Sequence, residues 1–194
     1  MSRRDVEPPE GEPTFVFTDI EGSSALWEVE PEAMRRSLRM HDALMHAACA
    51  AQQGYAVKSE GDAFMIAFSE PRAAMGFAHL VQQTLAKMTW PSELEAAQLA
   101  RGMHGCLGLR VRIGIHHGKA ELRINELSGR ADYFGAAVNV AARLSDMAHG
   151  AQTIISEESL KKSGSPEQAM VTCLGPTAVR GMKQKLVVHQ MVSA

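Results

Sequence analysis

The stretch TFVFTDIEGSS, residues 14–24, joins a predicted strand to a predicted helix through an acidic turn. Residues 14–18 are mostly apolar, aromatic or β-branched, which is typical of a buried strand. Asp19 closes this run, and from Ser23 onward the spacing of apolar residues becomes helical. A carboxylate at the end of a hydrophobic strand is costly unless it holds something positive. Asp19 is therefore a candidate ligand for a cation.

A second carboxylate, Asp62, stands in a comparable place. It lies in YAVKSEGDAFMIAF, residues 55–68, between predicted strands at 55–59 and 63–68 that a tight turn joins. Each aspartate alone has an ordinary explanation, because Asp19 could cap a helix and Asp62 could form a turn. Brought together, the two carboxylates would form a hard-oxygen site suited to Mg²⁺ and a phosphate ester.

The remaining pattern predicts an α+β chain, an α/β sandwich, that is one domain from residue 14 to 194. Residues 1–13 are expected to be a flexible leader rich in Pro and Glu. Helices are predicted from Ser23 to Gly54, from Pro71, over 135–148 and over 157–162. Further strands are predicted over 109–115, after Gly118, and over 152–155, 170–174 and 186–192. A turn is expected near Ser128, and residues 89–108 are expected to form an irregular connection. This order contains the βαββαβ core of the ferredoxin-like plan, with additional strands and helices.

Composition excludes several classes of protein. The chain has 194 residues and a formal net charge of −2, so nothing indicates a nucleic-acid or membrane-surface partner. Its three cysteines are scattered without metal-binding spacing, and the adjacent pair His116 and His117 would point to opposite faces of a strand. No apolar run approaches the roughly 20 residues of a membrane helix. We expect a cytoplasmic protein or the cytoplasmic catalytic portion of a larger one.

Three segments carry a family resemblance. FVFTDIEGSS (15–24), KSEGDAFM (58–65) and DYFGAAVNVAARL (132–144) resemble, in this order, the catalytic domain of class III nucleotidyl cyclases. The resemblance extends over nearly the whole chain. It implies the cyclase fold and conversion of a nucleoside triphosphate to its 3′,5′-cyclic monophosphate and pyrophosphate. It also implies a head-to-tail homodimer with active sites in the subunit interface.

The resemblance assigns the metal site to Asp19 and Asp62. The two aspartates would hold two divalent cations, and the carbonyl of Ile20 would complete the shell of one ion. Oxygen ligands favour Mg²⁺ or Mn²⁺ over softer metals.

Lys58 and Asp132 match the positions that contact the base in this family. Lysine only donates hydrogen bonds and a carboxylate only accepts them, which complements the N1 acceptor and N6 donor of adenine. Guanylyl cyclases of the family usually carry Glu and Cys at these positions, so ATP is predicted over GTP. The ordinary alternatives are a solvent-facing lysine and a loop aspartate.

Asn139 and Arg143 are four residues apart in an Ala-rich predicted helix, so they lie on one side of it. The resemblance implies that Asn139 orients the ribose and that Arg143 stabilises charge on the α-phosphate. Lys119 and Arg180 match positions that are often basic and near the phosphates. We expect Asp19, Asp62 and Arg180 from one protomer, and Lys58, Asp132, Asn139 and Arg143 from the other.

The sequence thus predicts an adenylate cyclase, a phosphorus–oxygen lyase, with ATP and a second copy of itself as partners. No nucleic-acid polymer and no membrane contact are expected for this segment. The alternatives are a guanylyl cyclase, or a catalytically silent cyclase-like module that binds nucleotide or dimerises. An RNA-binding module is a third class, but the sequence lacks its aromatic signature and basic patch.

Overall fold

The computed structural model describes residues 6–126, 129–164, 170–180, 182 and 184–192. Among them, the strands are β1 (Thr14–Ile20), β2 (Tyr55–Glu60), β3 (Ala63–Phe68), β4 (Val111–His117), β5 (Glu121–Ile124), β6 (Ala131–Phe134), β7 (Thr153–Ser156), β8 (Met170–Thr177) and β9 (Leu186–Val192). The helices are α1 (Ser23–Val29), α2 (Pro31–Ala51), α3 (Pro71–Leu85), α4 (Ser92–Ala100), α5 (Ala136–Met147) and α6 (Glu157–Lys162).

Seven strands form one sheet in the order β2-β3-β1-β4-β7-β9-β8, and β5 and β6 form a separate hairpin. The first four strands pair antiparallel, with β1 between β3 and β4. This is the arrangement of the ferredoxin-like core, so the predicted fold class is confirmed. β7 pairs parallel to β4 and begins the extension that β9 and β8 complete.

The two faces of the sheet bury different elements. Val16 of β1 belongs to a large apolar cluster with residues of α2, α3 and α4, whereas its neighbour Phe15 packs with Tyr133 of β6 and Ala137 of α5. This follows from the alternation of side chains along a strand. α5 and the β5–β6 hairpin therefore cover the face opposite to α2 and α3. Asp19 shares its side of β1 with Phe15, and Thr18 shares the other side with Val16.

Two elements were not predicted. The connection over 89–108 contains α4, in which apolar residues repeat at helical spacing over only a short stretch. Its buried residues include the polar Gln98 as well as Leu94. The Gln98 amide bonds the backbone of Gly108 in both directions, at 2.8 and 2.7 Å, so tertiary contacts stabilise a segment with little amphipathic pattern. β6 was also missed. It pairs only with β5 and lies outside the main sheet.

The two helices predicted between Ser23 and Gly54 are present. α1 ends at Val29, and Pro31 begins α2. Ser128 of the predicted turn lies outside the described residues. No helix in the described part of the chain combines the length and apolar character that crossing a membrane requires.

Residues 6–13 of the predicted leader lie against the domain. The Tyr133 hydroxyl donates a hydrogen bond of 2.8 Å to the Pro9 carbonyl, and Pro9 is buried. The Gly118 amide donates to the Pro13 carbonyl at 3.1 Å. This part of the leader therefore packs beside β6 and the end of β4, in contrast to the prediction of a free segment; residues 1–5 lie outside the described chain.

Candidate active site

Strand pairing brings the two predicted metal ligands to the same end of the sheet. Thr18 of β1 lies opposite Phe64 of β3, so the turn that contains Asp62 lies beside the end of β1 where Asp19 is found. The Asp62 Oδ2 atom is buried and has no hydrogen-bond partner among the described residues. A buried carboxylate oxygen without a donor is costly unless a cation or a water molecule satisfies it.

The donor set fits Mg²⁺ or Mn²⁺. The described residues contain no group of three His, Cys, Asp or Glu side chains that could enclose a metal ion. Two carboxylates with the adjacent Ile20 carbonyl would instead leave positions open. Mg²⁺ is usually held by one or two carboxylates together with substrate phosphates, so an incomplete protein shell suits a triphosphate site.

Arg112 is a site residue that sequence reasoning missed. It lies directly opposite Asp19 in the β1–β4 pairing, and its Nε donates a 2.8 Å hydrogen bond to Asp19 Oδ2. Its Nη2 also bonds this oxygen, and its Nη1 donates to the Asp146 carbonyl at 3.4 Å. The side chain is 28% exposed. A planar, partly exposed guanidinium beside a carboxylate predicted to bind metal is suited to phosphate oxygens.

The sequence pattern around Arg112 gave little indication that this residue lies beside Asp19. The strand alternates apolar and polar residues, so Arg112 had the appearance of an ordinary solvent-facing residue. Its functional position depends on which residue of β1 it faces, and that register is a property of the assembled sheet.

Lys58 and Asp132, predicted to contact the base, are in direct contact. The Lys58 Nζ atom lies 2.9 Å from Asp132 Oδ2, and the side chains are 41% and 21% exposed. The Tyr133 amide donates 2.8 Å to the other carboxylate oxygen, which fixes its orientation. Both side chains line a cleft of about 400 Å³ that Asn125 and Arg130 also border.

Tyr55 ties the two strands of this cleft together. Its hydroxyl accepts a hydrogen bond of 3.0 Å from the Ala131 amide and donates one of 3.3 Å to the Ala131 carbonyl. β2 and β6, which belong to different sheets, are thereby fixed side by side. Lys58 and Asp132 consequently present a donor and an acceptor to one edge of the same cleft.

α5 presents Asn139 and Arg143 away from its own domain. Asn139 is exposed and Arg143 is half-buried, and neither side chain has a hydrogen-bond or ion-pair partner in the described part of the chain. The opposite sides of the helix bury Ala137, Val140, Ala141 and Leu144. The polar side of α5 is therefore available to groups outside this chain.

Gly114 allows α5 to lie this close to the sheet. A Cβ atom at this position would be 2.2 Å from the Ser145 amide nitrogen and 2.4 Å from the Ala141 carbonyl oxygen. Both are backbone atoms of α5, so any side chain would push the helix away. The helix that carries Arg143 is thus set against β4 by direct backbone contact.

Two basic residues, Lys119 and Arg180, were also predicted to lie near the phosphates. Lys119 is 85% exposed, and its nearest anionic partner is Glu12 at 3.8 Å. It follows the end of β4 opposite to Arg112, and a strand of this length spans roughly 20 Å. The structure therefore does not bring Lys119 to the aspartates of its own chain.

Arg180 is exposed and has no partner among the described residues. Its neighbour Val179 is buried against Val140 and Leu144 of α5. The prediction that Arg180 acts from the same protomer as Asp19 and Asp62 stays a prediction.

The adjacent histidines are structural, as expected. His116 Nδ1 lies 2.8 Å from the Ser156 hydroxyl, and burial lowers the pKa of His116 to about 4. His117 lies 3.1 Å from the Thr14 hydroxyl through its own Nδ1.

The family model of the adenylate and guanylate cyclase catalytic domain matches residues 6–193. The chain belongs to this family. The family membership predicted from the sequence motifs is thereby confirmed.

The curated relatives of this cyclase domain are much longer proteins. The cyclase domain is 39% identical over 160 residues to an adenylate cyclase of Lachancea kluyveri. The match covers 79% of this chain and 9% of that protein. The domain is 32% identical to the receptor-type adenylate cyclase GRESAG 4.3 of Trypanosoma brucei brucei, covering 94% of this chain and 17% of that protein. The chain therefore spans less than a fifth of either relative.

Solved structures agree with the fold. The cyclase domain matches an adenylate cyclase from Trypanosoma brucei in its monomeric state with a TM-score of 0.86 and 31% identity, covering 96% of this chain and 91% of that one. It matches the adenylyl cyclase CyaB from P. aeruginosa with a TM-score of 0.69 and 26% identity, covering 94% of each chain. These similarities agree with the fold and with the family.

Proposed function

We propose that this cyclase domain converts ATP to 3′,5′-cyclic AMP and pyrophosphate at composite sites in a head-to-tail homodimer. The observation that carries the proposal is the contact between Lys58 and Asp132. It places a pure donor and a pure acceptor 2.9 Å apart at one edge of a cleft. This is the complement of the adenine edge and the opposite of what guanine requires.

The pairing of Lys58 with Asp132 is compatible with base binding. When adenine enters, Lys58 donates to N1 and Asp132 accepts from the N6 amino group, so both charged groups exchange one partner for another. Because the pair is partly exposed, separating it costs little. Guanine would place a donor against the lysine and an acceptor against the carboxylate, and unpaired buried polar groups discriminate strongly against a substrate.

Asp19, Asp62 and the Ile20 carbonyl would hold two divalent cations, Mg²⁺ or Mn²⁺. When bound, such ions lower the pKa of the ribose 3′-hydroxyl and offset the charge of the triphosphate. Asp62 would offer an oxygen of its carboxylate, and Asp19 would offer the oxygen now paired with Arg112. Arg112 is free to turn toward the β- and γ-phosphates once Asp19 has another partner.

In the reaction the ribose 3′-oxygen forms a bond to the α-phosphorus and gives up its proton, while the bond from the α-phosphorus to the bridging oxygen breaks. Pyrophosphate leaves with that oxygen. The chain contributes positioning and charge: Asn139 orients the ribose, and Arg143 stabilises the negative charge on the α-phosphate. Arg180 would be a further cation for the phosphates.

The dimer is required because α5 directs its functional side chains outward. Asn139 and Arg143 face away from the domain core, whereas Asp19 and Asp62 lie at the end of the sheet. In a head-to-tail pair, α5 of one protomer completes the metal end of the other. Each protomer carries every required residue, so two equivalent sites are expected.

Complementation tests this arrangement. Asp62→Asn and Arg143→Ala each inactivate both sites of their own homodimer. In a mixed dimer one site carries both lesions and the other carries neither. After exchange at equal concentrations, half of the dimers are mixed and half of their sites are intact, so about a quarter of wild-type cyclic AMP production should return. Two separate preparations of the Asp62→Asn variant, mixed in the same way, serve as the control.

The outcomes separate the candidate functions. Recovery supports the composite homodimer, and the absence of recovery in demonstrably mixed dimers contradicts it. Wild-type protein that makes no cyclic nucleotide with Mg²⁺ or Mn²⁺ would instead indicate a silent cyclase-like module.

A further inference from the structure

Three buried polar atoms near the predicted metal site have no partner. They are the Thr18 hydroxyl, the Nε2 atom of His41 and the Oδ2 atom of Asp62, and none makes a hydrogen bond to any described residue. Buried polar atoms are almost always hydrogen-bonded, and an unsatisfied one destabilises the fold. Three such atoms in one region require an explanation.

Phe64 shows that the three atoms belong to one region. Thr18 lies directly opposite Phe64 in the β1–β3 pairing. The imidazole of His41 contacts the Phe64 ring edge-to-face, with ring centroids 5.7 Å apart. Asp62 precedes Phe64 by two residues at the turn between β2 and β3. His41 on α2 therefore lies beneath the end of the sheet that carries Asp62.

The protonation of His41 follows from its surroundings. The side chain is fully buried, and its Nδ1 lies 3.0 Å from a carboxylate oxygen of Asp42. Because that carboxylate can only accept, Nδ1 carries the proton. Burial lowers the pKa of His41, while the carboxylates of Asp42 and Asp62 oppose the shift. In the neutral ring Nε2 is thus a hydrogen-bond acceptor.

We infer that His41 is a positioning residue for Asp62, acting through a buried hydrogen-bond network with the Thr18 hydroxyl and one bridging water molecule. The inference rests on the proposed function, which gives Asp62 its role as a metal ligand. Nε2 of His41 and Oδ2 of Asp62 are both acceptors, and a water molecule has two protons to donate. The Thr18 hydroxyl can donate to the same water, which completes the three bonds that buried water typically makes.

The network gives the two oxygens of Asp62 different tasks. Oδ2 is held from the side of α2, so Oδ1 is directed toward the cations. Hydrogen-bonded partners of this kind orient metal ligands, and their removal typically weakens metal binding about 10- to 100-fold. His41 itself touches neither metal nor substrate.

Substitution of His41 by leucine separates positioning from stability. The side chain packs against the Phe64 ring, so leucine fills similar space, and its added apolar contacts offset the lost bonds to Asp42 and to the bridging water. We expect the metal-free His41→Leu variant to unfold at the same temperature as wild type or higher. Its affinity for Mn²⁺ should nevertheless fall about 10-fold or more. A residue that only supports the fold would change both quantities in the same direction.

The test measures Mn²⁺ binding to the full chain by the electron paramagnetic resonance signal of the free ion, without nucleotide. His41→Gln retains a side-chain amide that can reach the same position, so it should bind Mn²⁺ more tightly than His41→Leu. His46→Leu is the matched control, because His46 is on the same helix and also contacts the Phe64 ring, at 5.6 Å, but is exposed. It should bind Mn²⁺ as wild type does.

Asp62→Asn distinguishes this inference from the proposed function. If Asp62→Asn binds Mn²⁺ as tightly as wild type, the metal site itself is misplaced. If Asp62→Asn loses Mn²⁺ while His41→Leu binds it normally, the metal site holds and the positioning role of His41 is refuted. Weaker Mn²⁺ binding by His41→Leu, with unchanged thermal stability and partial recovery in His41→Gln, supports the role.

Discussion

Removal of the Asp132 carboxylate should change base preference without unfolding the protein. Asp132→Ala deletes the acceptor for the adenine N6 amino group and leaves Lys58 unpaired. A hydrogen bond to a charged group is worth about 1.5–3 kcal/mol. At about 1.4 kcal/mol for each factor of ten, kcat/KM for ATP should fall roughly 10- to 150-fold. GTP loses nothing, because its O6 acceptor no longer meets a carboxylate.

The expected cost in stability is much smaller. Lys58 and Asp132 are 41% and 21% exposed, and ion pairs at such sites contribute at most about 1 kcal/mol. Initial rates of cyclic AMP and cyclic GMP formation give kcat/KM for both nucleotides, and urea unfolding gives the free energy of unfolding. Glu157→Ala is the matched control. It breaks an exposed ion pair of 2.8 Å with Lys161 on α6 and should leave the ATP to GTP ratio unchanged.

The result that would refute the reasoning is a folded Asp132→Ala variant with an unaltered ATP to GTP ratio. A parallel loss for both nucleotides would indicate that the carboxylate supports the cleft rather than the base. A loss confined to ATP is the signature of a direct contact with adenine.

Three further predictions follow from individual side chains. Arg143→Ala should lower kcat by about 100-fold or more and change KM for ATP much less, since its charge acts in the transition state; steady-state kinetics with a control of Arg39→Ala, an exposed α2 residue, measure this. Arg112→Ala should tighten Mn²⁺ binding without nucleotide several-fold, because Asp19 loses its competing partner, yet should raise KM for ATP. Calorimetry measures the Kd for Mn²⁺ and steady-state kinetics measure KM. The proposal would be contradicted if the Kd for Mn²⁺ and the KM for ATP both rose or both fell. The depressed pKa of His116, about 4 against 6.5, means that the unfolded chain binds the extra proton, so stability is complete above about pH 6.5 and falls as the pH drops toward 4. Urea unfolding across this range should show a steeper loss for wild type than for His116→Asn, and equal slopes would contradict the assignment.

Local patterns predicted most of the architecture. α3 begins at Pro71 and buries Ala74, Phe77 and Val81 as its spacing indicated, because an amphipathic helix carries its orientation in its sequence. α4 did not follow this rule, since Gln98 is stabilised by the distant Gly108 backbone rather than by an apolar stripe. β6 was missed for a similar reason, because its partner is a short strand outside the main sheet.

The residues of the candidate site likewise differ in how clearly the sequence marks them. Asp19, Asp62, Lys58 and Asp132 stand in motifs whose residue types and spacing mark them as unusual, so the sequence alone predicted roles for them. Arg112 carries no such mark, because an arginine on an alternating strand is common.

The sequence by itself determined the inventory of this cyclase domain: a strand ending in a carboxylate, a second carboxylate in a turn, and a helix bearing Asn139 and Arg143. Only the tertiary structure decided which of these groups meet. Pairing of β1 with β4 placed Arg112 on Asp19, and packing placed Val179, the residue before Arg180, in one apolar cluster with α5. The physical reason is that residue type and periodicity are local properties, whereas register and packing depend on contacts between segments far apart in the chain.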